Sequence, residues 1–150
     1  MPDRLLCESR IEGDALCLAL LNDFASVDVA QTALRAFLAA RGVSERAAFH
    51  TELAFEELAV NVVRHAYAGQ PPSQSRIDVR VQVGDPEIIL VIEDTGLPFD
   101  LVQAPEVPLA TTLEQAKVGG LGIRFIRAAA TRITHERVAD KNRTTVWLSR

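Results

Sequence analysis

The chain has 150 residues, of which 48% are hydrophobic and 24% charged, and its formal net charge at pH 7 is −4. This length and composition favour one soluble globular domain, which we expect to span residues 1–150. The acidic balance provides no positive field that would attract nucleic acid or anionic lipid, and no apolar run approaches the ~20 residues that cross a bilayer. We therefore expect no direct nucleic-acid partner and no membrane partner.

The cysteines and the beginning of the chain indicate the compartment. The spacing of Cys7 and Cys17 matches neither a zinc site nor a redox pair, so both are expected to be reduced thiols. The first residues lack the basic and then apolar pattern of a signal peptide. These features predict a cytoplasmic protein.

The first predicted elements are a strand and a helix. A strand is expected at residues 5–11. Apolar residues at helical spacing follow, and either Ser26 or Asp28 is expected to cap that helix, because short polar side chains accept hydrogen bonds from the first free amides. The helix is expected to run to Arg41 and to end before Gly42, since glycine favours the residue after a helix.

A second, longer helix is predicted from a cap at Ser44 to about Ala68. Glu45 lies in its first turn, where a negative charge is favourable to the helix dipole. Gly69 and the prolines after it are expected to end the helix, since proline cannot continue one.

The pattern then changes to alternation with period two. Residues 77–83 alternate apolar and polar side chains, which predicts a half-buried strand. Residues 88–92 form a continuous apolar run, which is typical of a strand covered on both faces. The turn at 84–86 between them predicts an antiparallel hairpin.

The last third of the chain begins with an aperiodic stretch that contains several prolines, and loops of such length are usually functional or disordered. A short helical turn is expected at 111–117, a helix from 121 to about 130, and strands at 133–138 and 144–148. This order predicts an α+β fold, a two-layer sandwich with a mixed, mostly antiparallel sheet and helices on one face.

Glu57 and Asn61 share one face of the second predicted helix because they are one turn apart. The amide oxygen of Asn61 is a hard ligand of the kind that Mg²⁺ accepts beside phosphate and water. The carboxylate of Glu57 can accept a proton from an attacking hydroxyl. A solvated helix face is the ordinary alternative, and it is our interpretation of the neighbouring Glu56. His65 continues the stripe and is expected to cap or pack.

The segment from Ile92 to Gly96 is an apolar strand end followed by Asp94 and a turn. A carboxylate there can accept a hydrogen bond from an exocyclic amine such as that of adenine. Gly96 would let a flat ring approach the backbone closely. A plain turn is the alternative explanation.

The run Gly119-Gly120-Leu121-Gly122 opens the last predicted helix. Glycines expose backbone N–H groups, and a helix N-terminus favours anions, so the run predicts a phosphate cradle. It is neither a Rossmann fingerprint nor a P-loop. A flexible joint is the alternative. Lys117 immediately before the run is either a phosphate ligand or a solvated side chain.

In this order and with these intervals, the three motifs resemble the asparagine box and the glycine boxes of the Bergerat-type (GHKL) ATPases. Residues 56–67, 94–100 and 119–123 are similar to the subgroup of anti-sigma-factor serine/threonine kinases, and residues 142–146 resemble the closing strand of that family.

The resemblance implies that the cofactors are ATP and Mg²⁺. It implies that Glu57 is the general base on a protein serine or threonine, that Asn61 is the Mg²⁺ ligand, and that Asp94 binds adenine. Thr145 would support adenine through a water molecule, and residues 101–118 would form a lid over the phosphates. The residues expected to bind nucleotide are Asn61, Asp94, Gly96, Lys117, Gly119, Gly120, Leu121, Gly122 and Thr145.

The resemblance also implies the partners, which are a STAS-domain anti-sigma-factor antagonist as substrate, a sigma factor and a second copy of the chain as a homodimer. Three alternatives stay open at this point. They are an ATP-dependent anti-sigma binding switch without significant kinase activity, the catalytic half of a histidine kinase, and a general ATPase. The last two are disfavoured because the sequence shows no hairpin that bears an acceptor histidine and no coupled domain. Which basic residue faces the γ-phosphate is left open between Lys117 and Arg124.

Overall fold

The computed structural model describes residues 7–67, 76–98 and 121–150, except for the side chain of Leu121. The described strands are β1 (Cys7–Glu12), β2 (Ala15–Leu21), β3 (Arg76–Val83), β4 (Glu87–Asp94), β5 (Ala130–Val138) and β6 (Lys141–Ser149). The α-helices are α1 (Phe24–Ala40), α2 (Glu45–Asn61) and α3 (Leu121–Ala129). The strands form one sheet in the order β1-β2-β3-β4-β6-β5, and every described pairing is antiparallel. This arrangement confirms the predicted α+β fold.

The first strand of the sequence prediction is one half of a hairpin. Strand β1 pairs with β2, which the sequence analysis did not predict. Gly13, at a φ of 59°, makes the turn between them. The run Ala15–Leu21 consists of apolar residues, so it has neither helical nor alternating period, and only its pairing with β1 and β3 identifies it as a strand.

The N-cap of α1 is Asp23, so the predicted caps Ser26 and Asp28 are wrong. Asp23 Oδ1 accepts a hydrogen bond from the backbone N–H of Ser26 at 2.7 Å. Ser26 is instead a fully buried residue of the first turn. The predicted end is confirmed, because the helix stops at Ala40 and Gly42 adopts a φ of 68°.

The cap of α2 is Ser44, as predicted, and its Oγ accepts a hydrogen bond from the N–H of Ala47 at 3.2 Å. Glu45 lies in the first turn. The α-helical part ends at Asn61, earlier than expected, and the chain continues as a π-helical turn over Val62–Ala66. π-Helical turns are rare in proteins, and those that occur often lie at functional sites.

The two faces of the sheet differ. Alternate residues of β3 and β4, among them Ile77 and Leu90, point into the core under the helices. The opposite face carries ion pairs such as Arg76 with Asp78. Strand β4 was expected to be covered on both faces. Among the described elements, helices cover one face only, and on the second face its residues are half-buried, with Ile89 opposite Trp147 in the register.

Helix α2 lies at the centre of the helical layer. It contacts α1 on one side, α3 on the other, and β4 and β6 beneath it. Strands β5 and β6 are longer than predicted and are joined by a turn at residues 139–140. Within the described ranges, no helix has the length and apolar character needed to cross a membrane.

We expect Phe55→Ala to lower the free energy of unfolding by about 3–5 kcal/mol, because Phe55 is fully buried and its loss leaves a cavity. Phe49 of the same helix is a matched control, since it is 57% exposed and touches Phe125 edge to face. Phe49→Ala should cost no more than about 1 kcal/mol. Denaturant unfolding of both variants measures the difference, and equal losses would contradict the core described here.

Candidate functional site

The site is built around the C-terminal half of α2, where Glu57 and Asn61 share one face. Asn61 Nδ2 donates a hydrogen bond to the backbone carbonyl of Glu57 at 2.8 Å. A carbonyl oxygen only accepts, so this bond determines which end of the amide is the nitrogen. Asn61 Oδ1 is consequently left as an acceptor, which fits the single protein oxygen that Mg²⁺ takes beside phosphate and water.

The side chain of Glu57 is half-buried between α2 and the start of α3. A Cβ atom at Gly122 would overlap the carboxylate end of Glu57, so the absence of a side chain at Gly122 lets the helix backbone pack against it. Burial raises the pKa of Glu57, the negative charge of Glu56 raises it further, and Arg64 opposes the change. A carboxylate with a raised pKa is a better proton acceptor. Glu56 is exposed, as expected.

Asp94 ends β4 with its carboxylate buried, at 6% exposure. Its Oδ1 accepts hydrogen bonds from the N–H of Gly96 and from Asn142 Nδ2, both at 2.9 Å. Burial raises the pKa of Asp94, and these two hydrogen bonds partly offset the rise. Among the described residues none donates to Oδ2, so this oxygen keeps its acceptor capacity, which an exocyclic amine could use.

Gly96 joins the end of β4 to the end of α2. A Cβ atom at this position would overlap the backbone carbonyl of Ala66, and the neighbouring N–H of Leu97 donates to that carbonyl at 2.8 Å. The close approach that requires glycine is therefore made by the π-helical turn of the chain itself. Gly96 was expected to admit a flat ring, and the described residues supply a different neighbour, the carbonyl of Ala66.

Tyr67 is a site residue that the sequence analysis did not single out. It is buried directly after the π-helical turn. Its hydroxyl accepts from the N–H of Thr95 at 2.8 Å and donates to the carbonyl of Arg76 at 2.6 Å. Tyr67 thus fixes the backbone that follows Asp94. A buried tyrosine hydroxyl needs partners, but the sequence does not say which ones.

The structure places Thr145 on the wrong side of the sheet for its expected role. Thr144 pairs with Ile92, and both point to the helix-covered face that carries Asp94. Because side chains alternate along a strand, Thr145 points to the opposite face. The threonine on the Asp94 face is Thr144, which hydrogen-bonds His135 Nδ1 at 3.0 Å. The role expected of Thr145 in adenine binding stays a prediction, and the structure places that side chain on the face opposite Asp94.

The remaining predicted ligands lie at the edge of the described residues or beyond it. Lys117, Gly119, Gly120 and the expected lid at 101–118 lie outside them. Leu121 begins α3. Arg124 lies in α3, and its Nε is buried with no hydrogen-bond partner in the described part of the chain. The structure therefore brings together Glu57, Asn61 and Gly122, and joins Asp94 and Gly96 to the same end of α2.

Asp94→Asn should not weaken the fold at pH 7. The folded pKa of Asp94 is raised, so the folded state holds its proton more tightly and the free energy of unfolding falls as pH rises above ~3.9, the ordinary aspartate value. The amide oxygen of asparagine can still accept both hydrogen bonds. We therefore expect the variant to be at least as stable as the parent at pH 7, with the advantage disappearing near pH 3.

Thermal and denaturant unfolding between pH 3 and pH 7 measure the difference in free energy of unfolding between parent and variant. The contributions of the other carboxylates are the same in both proteins and cancel in this difference. A variant that becomes progressively less stable than the parent as pH rises would show that the carboxylate is structural.

Comparisons with known proteins identify the family and relatives of similar sequence. The family described as histidine kinase-like ATPase domain matches residues 20–150. The chain is 32% identical over 94 residues to the serine/threonine-protein kinase BtrW of Bordetella bronchiseptica, covering 63% of this chain and 65% of that protein. It is 30% identical over 80 residues to the serine-protein kinase RsbW of Bacillus pumilus, covering 51% and 49%. The chain thus spans 65% of the length of the first of these relatives and 49% of the second.

A solved structure gives the same architecture. A chain from the SiaB–SiaC complex of Pseudomonas aeruginosa superposes with a TM-score of 0.58 at 16% identity, covering 96% of this chain and 89% of that one. At this identity the likeness concerns the fold. The family match covers most of the sequence and includes Glu57, Asn61, Asp94 and Gly122. The chain belongs to the histidine kinase-like ATPase domain family.

Proposed function

We propose that this protein is an ATP- and Mg²⁺-dependent protein serine/threonine kinase that acts as an anti-sigma factor in a partner-switching module. Its substrate would be a STAS-domain anti-sigma-factor antagonist, its alternative partner a sigma factor, and its working form a homodimer. The observation that carries the proposal is the half-buried carboxylate of Glu57 beside Asn61, packed against Gly122 at the start of α3. The two kinase relatives support the reaction class.

The nucleotide would lie between the ends of α2 and β4. Asp94 Oδ2 would accept the 6-amino group of adenine, and Asn61 Oδ1 would hold Mg²⁺. The backbone at the start of α3 would face the phosphates, where helix amides favour anions. When bound, Mg²⁺ supplies charge neutralisation to the transferring phosphoryl group.

The role of Glu57 would be proton removal in a direct transfer. The hydroxyl oxygen of the substrate serine or threonine attacks the γ-phosphorus, the bond to the β–γ bridging oxygen breaks, and ADP leaves. The hydroxyl proton passes to the Glu57 carboxylate, whose raised pKa suits it to accept that proton. No phosphoenzyme forms.

A binding switch without catalysis is the second candidate. Such a switch would need to bind nucleotide and partner, but it would need no proton acceptor beside the γ-phosphate. The placement of Glu57 favours the kinase, because the lack of a side chain at Gly122 leaves room for that carboxylate at the start of α3.

Asn61→Ala should remove the Mg²⁺-dependent part of ATP binding. We expect the parent to bind Mg-ATP with a micromolar to millimolar Kd, about −8 to −4 kcal/mol. Loss of Asn61 Oδ1 as a metal ligand should weaken Mg-ATP binding by about tenfold or more. Binding of ATP in the presence of EDTA should change little, which provides the internal control. Calorimetry with and without Mg²⁺ measures both values, and a variant that keeps the full Mg²⁺ increment would exclude Asn61 as a ligand.

Glu57→Gln separates the kinase from the binding switch. The amide has nearly the same shape and helix propensity but accepts no proton, so phosphate transfer should fall by ~10²–10⁴-fold while nucleotide binding persists. Glu56→Gln is the matched control, because its exposed side chain lies next in sequence and loses the same charge. It should transfer phosphate at close to the parental rate.

The measurement uses radiolabelled ATP and a purified STAS-domain antagonist. Equal rates for the parent and Glu57→Gln would eliminate Glu57 as the base. A parent that binds Mg-ATP and the antagonist but transfers no phosphate would favour the binding switch.

A further inference from the structure

The β5–β6 hairpin reaches Asp94 through a chain of hydrogen bonds that the proposed reaction does not use. Arg137 Nη1 donates to Asn142 Oδ1 and to the carbonyl of Gly96, both at 2.9 Å. Asn142 Nδ2 donates to Asp94 Oδ1 at 2.9 Å and to the carbonyl of Leu97 at 2.7 Å. The register of the sheet places Asn142 directly opposite Asp94. We call this chain the hairpin relay.

The direction of every bond in the relay is determined by its ends. Arginine only donates and the carbonyl of Leu97 only accepts, so the oxygen of the Asn142 amide faces Arg137 and its nitrogen faces Asp94. Asn142 is buried, at 4% exposure, so a different rotamer would leave buried polar atoms without these partners. The relay therefore holds Asn142 in one orientation.

The relay also determines which oxygen of Asp94 remains available. Oδ1 accepts two donors, from Asn142 and from the N–H of Gly96. A carboxylate that is held at one oxygen cannot rotate to present either oxygen to a ligand. Oδ2 is then the oxygen that meets the base.

We propose that Asn142 and Arg137 are positioning residues that make Asp94 selective for a purine carrying a 6-amino group. This inference rests on the proposed function, in which Asp94 binds adenine. It assigns base selectivity to a hairpin on the far side of β4 rather than to the three sequence motifs.

The charges around Asp94 are consistent with a carboxylate kept as an acceptor. Arg137 and His135 of β5 act on the Asp94 carboxylate electrostatically, and Asp94 acts in the same way on the hydroxyl of Tyr67 at the end of α2. Burial raises the pKa of Asp94, while the Asn142 and Gly96 hydrogen bonds and the positive charges of Arg137 and His135 act against that rise.

The test compares ATP with purine riboside triphosphate, which lacks only the 6-amino group. The parent should prefer ATP by about tenfold, the worth of one hydrogen bond. Arg137→Gln should reduce this ratio towards one while leaving the affinity for the analogue unchanged. Arg143→Gln is the matched control, because it removes the same charge from the same hairpin but points to the other face and pairs with Glu93. Its ratio should equal that of the parent.

Asn142→Asp adds a readout that a structural role would not produce. It replaces the donor with a second carboxylate beside Asp94, and two such groups share one proton when pH falls. The protonated side chain at position 142 can then donate to Asp94 Oδ1 as the amide did. The preference for ATP should therefore be lost at pH 8 and partly return towards pH 5, whereas the parental ratio should not show this recovery.

The outcomes separate this inference from the proposed function. A parent that binds no ATP overturns both. A parent that prefers ATP while Arg137→Gln keeps the full ratio overturns the relay alone. If Arg137→Gln loses affinity for ATP and for the analogue equally, the role of Arg137 is merely structural, and this result also overturns the relay. If Asn142→Asp does not fold, the result with Arg137→Gln decides.

Discussion

The contact between the end of α2 and the end of β4 is the constraint on which the site depends. The carbonyl of Ala66 lies so close to Gly96 that no side chain fits there, and the same carbonyl accepts the N–H of Leu97. Because the α-helix widens into a π-helical turn just before this point, its last residues reach the strand end. A helix that carries Glu57 is thereby attached to a strand that ends in Asp94, and the two halves of the site keep a fixed relation.

Asp94 is buried at this junction and Glu57 is half-buried between α2 and α3, and both have raised pKa values, chiefly through burial. Their burial contributes nothing favourable to folding by itself, because a charged carboxylate is better solvated in water. Asp94 has hydrogen-bond donors at one oxygen, and Glu57 lies against the backbone of Gly122. Strained or desolvated groups that persist in a fold are commonly functional, and the neighbouring core offsets their cost.

The core and the site residues lie on one face of the sheet, and in the described part of the chain the other face carries neither helices nor site residues. Alternation along β6 gives one face to the core and to Asn142 and Thr144, while Arg143 and Thr145 belong to the other. The face without helices is covered by paired charges, for example Arg143 with Glu93. Solvent-accessible pairs of this kind contribute at most about 1 kcal/mol each, so the stability of the sheet rests mainly on its helix-covered face. Selectivity for the base would therefore reside on the helix-covered face.

Local chemistry in the sequence was enough to predict the helix-borne pair Glu57 and Asn61, the strand end at Asp94 and the fold class, because periodicity and capping act within a few residues. Only the tertiary structure decided what depends on register and on contacts between distant segments. It identified β2 as a strand, moved the cap of α1 to Asp23, and placed Thr144 rather than Thr145 on the face that carries Asp94. The Asn142 relay was equally invisible in the sequence, since one residue of register reverses every side chain and long-range hydrogen bonds leave no local pattern.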